Sequence, residues 1–125
     1  MEILNRAFLE TSVFQREWRR AGLGDDEVRE LQIHLLHNPD LGDVIQHTGG
    51  LRKLRVGIPA KGRGKRGGGR VIYKDFPRSG WIVLVYFFSK ESMPDLTATQ
   101  RRTLREMVDE LETVISRFAT RKGTR

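Results

Sequence analysis

The sequence predicts an α+β domain in which a mostly antiparallel sheet carries an αα-hairpin near its N-terminal end and one long helix at its C-terminal end. Three observations carry that expectation. Trp81 to Phe88 is a nearly unbroken apolar run, the pattern of a strand buried on both faces. Leu104, Met107, Val108, Leu111, Ile115 and Phe118 recur at three- and four-residue steps, which aligns them along one helical stripe. Leu51 to Tyr73 enters through Leu51, Leu54 and Val56 and leaves through Val71, Ile72 and Tyr73, with glycines and cations between, so it reads as two strands joined by a charged loop. At 125 residues, with 38% hydrophobic and 31% charged composition, the chain fits one domain able to bury a core without a staple. The predicted division is a folded domain over 1–118 and a basic, flexible tail over 119–125.

The elements follow in order. Ile3 to Leu9 reads as a first strand, ending before Thr11 and Ser12, both good helix N-caps. From Val13 to Ala21, Phe14 and Trp18 lie four apart on one helical face, and Gly22 stops the helix. Asp25 or Asp26 is expected to cap a second helix with Val28, Leu31 and Leu35 on its apolar stripe, which Asn38-Pro39 ends. In the strand over 51–56, Lys53 and Arg55 face one side while Leu54 and Val56 face the other. Arg70, Ile72 and Lys74 then share a face opposite Val71 and Tyr73 on an antiparallel return. Pro77-Arg78-Ser79-Gly80 makes the turn into the apolar strand, and Thr97 with Gln100 has capping-box spacing for the last helix. The charged side of that helix, including Arg101, Arg102, Arg105, Asp109 and Glu110, reads as an ordinary solvated face.

The chemistry is concentrated in the middle of the chain. Arg52, Lys53, Arg55, Lys61, Arg63, Lys65, Arg66 and Arg70 lie between Leu51 and Tyr73 with no acidic residue among them, interleaved with Gly57, Gly62, Gly64, Gly67, Gly68 and Gly69. Such a stretch needs an anion, and a formal net charge of +7 favours nucleic acid as that partner. With no cysteine there is neither disulfide nor thiolate zinc site. No leader or membrane-length apolar run is visible, so cytoplasmic residence is the default. Lys53, Arg55, Arg70 and Lys90 are expected to converge on one concave side of the sheet as a phosphate-sized pocket, in which arginine clamps a phosphate and both residue types stabilise a phosphorane. A plain RNA-binding face accounts for the same residues, because the cluster includes no acidic or histidine general base. His34 and His37 lack a matching carboxylate for a metal, and the glycine-rich loop lacks GxxxxGK[ST] order, which disfavours nucleotide hydrolysis. The aromatic residues Tyr73, Trp81, Tyr86, Phe87 and Phe88 read mostly as core rather than base-stacking platforms.

Asn38-Pro39, Gly42-Asp43-Val44-Ile45, Thr48 through Arg55, Gly64-Lys65, Gly68, Arg70-Val71-Ile72-Tyr73, Lys90 and Asp95-Leu96-Thr97 together resemble the RelE/ParE superfamily of type II toxins, and more closely its HigB-like branch of mRNA interferases. The resemblance runs from about Phe8 to Leu111. It implies a single RelE-like domain, a toxin that enters the ribosomal A site and cuts mRNA, and a cognate antitoxin bearing a helix-turn-helix domain. The implied reaction is attack of the RNA 2′-OH on the scissile phosphate, a route that requires no metal and no cofactor. By resemblance, Lys53 and Arg55 orient the nucleophile or accept its proton, Arg70 holds the phosphate, and Lys90 supports it or the leaving oxygen. Arg52, Lys61, Arg63, Lys65 and Arg66 would contact ribosomal RNA; His47 departs from the family, standing where relatives commonly have Gly, and would add a titrating group beside the substrate. Related toxins often carry Tyr two residues before the Lys90 position, where this chain has Phe88, with Tyr86 two residues earlier on the same face. A gyrase-poisoning ParE-like toxin and a non-enzymatic RNA-binding protein are the alternatives.

Overall fold

In a computed structural model, which describes residues 6–59, 62, 64 and 67–123 and side chains through 117, one strand, two helices, four strands and a last helix follow one another around one sheet. The strands are β1 (Ala7–Glu10), β2 (Asp43–Val44), β3 (Arg52–Val56), β4 (Gly69–Phe76) and β5 (Trp81–Ser89). The helices are α1 (Ser12–Arg20), α2 (Asp25–His37) and α3 (Ala98–Gly123). Strand order across the sheet is β1-β5-β4-β3-β2. Among the described residues the β1–β5 pairing alone is parallel. The expected α+β architecture is thus observed, and β2, two residues long, adds an edge strand to it.

Helix boundaries follow local chemistry. Thr11 caps α1 by accepting the Phe14 N–H at 3.0 Å, and its hydroxyl donates to Val85 O at 2.7 Å, which ties the helix start to β5. Gly22 takes φ 85°, the left-handed conformation that ends α1 at small cost. The cap of α2 is Gly24 rather than Asp25 or Asp26. Glu27 reaches back to accept the Gly24 N–H at 2.7 Å, and this frees both aspartates to sit inside the first turn, where they oppose the positive end of the helix dipole. At α3 the reciprocal bonds of a capping box form as expected, Thr97 N–H to Gln100 at 2.8 Å and Gln100 N–H to Thr97 at 3.1 Å. That helix runs to Gly123, past the boundary expected at 118, and the Phe118 side chain lies outside those described.

Two apolar layers sandwich the sheet. On one face Phe14, Trp18, Leu31 and Leu35 of the αα-hairpin meet Val71, Tyr73, Ile82, Leu84 and Phe87. On the other, Leu104, Val108 and Ile115 of α3 meet Ile72, Val83, Val85 and Phe88. The helices therefore occupy opposite faces, and each buried aliphatic or aromatic side chain contributes about 1.5–3 kcal/mol to the association. One irregularity sets the phase of β5. The β4–β5 register passes from Ile72↔Tyr86 to Tyr73↔Leu84, which leaves Val85 as an extra residue. Val85 and Tyr86 both join the α3 side, so Phe87 turns towards Trp18, with ring centroids at 5.1 Å, while Phe88 turns towards α3. Strict alternation from Trp81 would exchange those two phenylalanines.

Two polar ties hold the sheet's borders. Arg6 grips Asp75 through paired bonds of 2.7 and 3.1 Å, with both side chains largely shielded. Tyr73, fully buried, donates from its hydroxyl to Pro39 O at 2.7 Å and accepts the Gly42 N–H at 2.9 Å. That pair of bonds fastens the turn leading into β2 against β4. Among the described residues no helix is long and apolar enough to cross a membrane.

Candidate phosphate-binding groove

Alternation in β3 and β4 builds the floor. Leu54 and Val56 pack towards the αα-hairpin, which turns Lys53 and Arg55 to the α3 side, where Arg70 and Ile72 also point. Arg55 stands directly across the ladder from Arg70, and Arg70 across from Phe88. Lys90 follows the end of β5. Its N–H donates to Gly68 O at 2.9 Å, bringing it beside the start of β4. Gly68 must be glycine for that closure: a Cβ there would run into the Val56 carbonyl and lie 2.9 Å from Gly57 Cα.

Lys53, Arg55, Arg70 and Lys90 all line one open groove of about 750 Å³ between the sheet and the segment leading into α3. Arg70 is the most enclosed of them, 4% exposed, and donates to Gly69 O at 3.0 Å. Burial, and then the neighbouring charge of Arg55, pull its pKa below the ordinary arginine value, with Asp95 partly offsetting them. Two like charges facing each other across a ladder repel. An arginine held in this way favours an incoming anion, which relieves the repulsion and replaces lost solvation.

The groove also contains residues that the sequence reading assigned elsewhere. Arg101, placed there on the solvated face of the last helix, lines it, as do Asp43, Gln46 and Asp95. A cationic cluster without carboxylates was the expectation, and the fold corrects it. Asp95 accepts from Lys53 Nζ at 3.1 Å and from the Leu96 N–H at 2.7 Å, and lies 3.8 Å from the Arg101 guanidinium. Burial alone would raise its pKa, but the Leu96 N–H, the Lys53 hydrogen bond and the charges of Lys53 and Arg101 outweigh it and hold the carboxyl below its ordinary value. The Asp-Leu-Thr sequence ahead of the capping box was the available signal for this, since an aspartate there turns back on its own backbone. Arg101 follows from the same cap, which aims the first turn of α3 at the groove.

A depressed carboxylate pKa adds stability above the ordinary Asp value of about 4, and this is lost as pH falls through the lower native value. Because the Asp95 side chain is 49% exposed, the contribution is screened to less than about 1 kcal/mol. Asp95→Asn is therefore expected to lower stability slightly at neutral pH, with the difference from the parent protein shrinking as pH is taken progressively below about 4, as read by urea unfolding at neutral and acid pH. A variant that loses as much at the acid end as at neutrality would show that charge is not the cause.

Other expected site residues lie apart. Arg52 turns to the opposite side of β3, donating to Gly42 O at 2.7 Å and pairing with Asp40 at 3.3 Å. His47 is exposed, adjacent to the groove residue Gln46, in a turn that gives it φ 66°. Lys61, Arg63, Lys65 and Arg66 lie outside the described residues. Tyr86 is half-buried against Phe88, with ring centroids at 6.1 Å, and does not line the groove. Burial raises the pKa of its hydroxyl, which suits a packing role. Among the described residues no group of three or more His, Cys, Asp or Glu side chains comes together.

Solved structures share the backbone arrangement of this chain. A free-state E. coli toxin RelE carrying two arginine-to-alanine substitutions superposes with a TM-score of 0.52 at 13% identity, covering 72% of this chain and 88% of that one. The isolated E. coli RelE toxin gives 0.50 at 10% identity, covering 82% and 98%. The chain has a RelE-like fold. No family model matches its sequence. Within the RelE-like fold, the cationic groove described here belongs to this chain's own residues, because at such identities the likeness extends to the backbone arrangement and not to individual side chains.

Proposed function

We propose that this protein is the toxin of a type II toxin–antitoxin system, a HigB-like mRNA interferase that acts in the cytoplasm. It enters the A site of a translating ribosome and cuts the mRNA there by attack of a 2′-hydroxyl on the adjacent phosphate. The observation that supports this reading most strongly is the meeting of Lys53, Arg55, Arg70 and Lys90 in one groove on a RelE-like backbone. Arg70, partly desolvated and facing Arg55, is suited to hold the scissile phosphate and to stabilise the charge that builds on its equatorial oxygens. Arg55 and Lys53 orient the ribose, and Lys90 serves the leaving oxygen. The net charge of +7, including the loop cations Lys61, Arg63, Lys65 and Arg66, supplies affinity for ribosomal RNA through counterion release. A helix-turn-helix antitoxin encoded beside it is the expected neutralising partner.

The test is tightly controlled expression followed by mapping of mRNA ends on translating ribosomes. Cuts at fixed positions within codons, absent in cells lacking the inducer, are expected. Double-strand DNA breaks in place of RNA cuts would assign the protein to gyrase poisons. Growth arrest with RNA and DNA both intact would leave a binding function alone.

A further inference from the structure

The groove holds two carboxylates among its cations, and their surroundings differ. Asp95 is committed to Lys53, Arg101 and the Leu96 N–H. Asp43 stands on β2 directly across the ladder from Lys53, so both side chains leave the sheet on the groove face. It is exposed, and its carboxylate makes no hydrogen bond or ion pair among the described residues. The cations cannot take a proton in its place. Arginine stays protonated in proteins, and an ammonium paired to a carboxylate, as Lys53 is, presents donors only.

Resting on the nuclease reading, we propose that Asp43 accepts the proton of the attacking 2′-hydroxyl and that Lys90 donates one to the leaving 5′-oxygen. The sheet places them for it. Lys90, Arg70, Lys53 and Asp43 follow one another from β5 to β2. Along the strand direction Asp43 lies level with Ile72 through Lys53, and Lys90 lies level with Gly68. Arg70 is therefore between the two both across the sheet, where strands are about 4.8 Å apart, and along it, where residues are about 3.3 Å apart. In-line displacement at phosphorus needs the attacking and leaving oxygens on opposite sides of the atom, which is the relation these residues have to a phosphate on Arg70. The Asp43 carboxylate removes the proton from O2′ as the O2′–P bond forms. The P–O5′ bond then breaks, and O5′ takes a proton from the Lys90 ammonium. The products are a 2′,3′-cyclic phosphate and a 5′-hydroxyl, and both side chains regain their starting states by proton exchange with water.

The experiment uses the full chain on reconstituted translating ribosomes with a defined mRNA, either ordinary or carrying sulfur in place of the 5′-bridging oxygen at the cut site. Asp43→Asn is expected to lose about 10²–10⁴-fold in cleavage rate with ribosome binding unchanged, and Asp43→Glu is expected to keep more activity than Asp43→Asn. A thiolate leaves without protonation, so the sulfur substrate should rescue Lys90→Ala and leave Asp43→Asn slow. Asp43→Asn cleaving within about 3-fold of the parent protein, or rescued by sulfur, would overturn the assignment while the nuclease reading stands. Loss of ribosome binding in both Asp43 variants would likewise overturn it, making Asp43 a binding residue. Failure of the parent protein to cleave either mRNA would instead remove the nuclease reading itself.

Discussion

Arg70→Met should cleave mRNA about 10²–10³-fold more slowly than the parent protein and yet unfold at the same or a higher denaturant concentration. Both halves come from one feature. Arg70 is 4% exposed, and burial together with the facing charge of Arg55 disfavours its charged form, which Asp95 offsets only in part. Methionine keeps much of the volume and removes the charge, so folding is unchanged or gains up to about 1 kcal/mol, as replacement of buried charge by apolar side chains commonly gives. The phosphate loses the donor best placed to meet its developing charge. Rates on translating ribosomes and urea midpoints, measured on the same preparation, decide the matter. A variant that is both slow and markedly destabilised would mean that Arg70 holds the fold together, and the groove would lose its central catalytic claim.

For Tyr73→Phe we expect the largest loss of stability from a single atom, about 2–4 kcal/mol by denaturant unfolding. The hydroxyl of this fully buried residue serves Pro39 O at 2.7 Å and the Gly42 N–H at 2.9 Å, and its removal strands two backbone groups where water does not reach. A Cβ at Gly42 would already lie 2.9 Å from Lys53 O, which shows how closely this corner approaches β3. The consequence extends to function, because Gly42 immediately precedes Asp43 and the edge strand β2. At a temperature where the variant remains folded, loosening of that edge should reduce cleavage by about tenfold or more. Full activity with full loss of stability would separate the edge from the chemistry.

The groove was legible in outline because its main cations lie on strands with clear periodicity. Leu54 and Val56 had to face a core, so Lys53 and Arg55 had to face away from it, and Arg70 shared the phase of Ile72. Arg101 was misread for the same reason that solvated helix faces are usually read correctly: its charge and helical position match those of Arg102 and Arg105, and only the capping turn at Thr97 directs it to the groove. Asp43 belongs to a two-residue strand and Asp95 to the turn ahead of α3, stretches too short for a period to assign a direction. The Gly24 cap was hidden because two aspartates follow it, and their preference for the cap equals their preference for the first turn.

Composition and spacing alone determined that this chain builds three helices and an antiparallel hairpin, that its apolar strand is buried, and that its cations are concentrated between Leu51 and Tyr73. These are local properties: alternation, helical stripes and charge density act within a few residues. The tertiary structure alone decided that β1 joins β5 in parallel, that an extra residue at Val85 sends Phe88 to the α3 side, and that two carboxylates stand among the cations. Each of those depends on which distant segments meet across the sheet, and that is settled by the packing of both apolar layers at once rather than by any stretch of sequence.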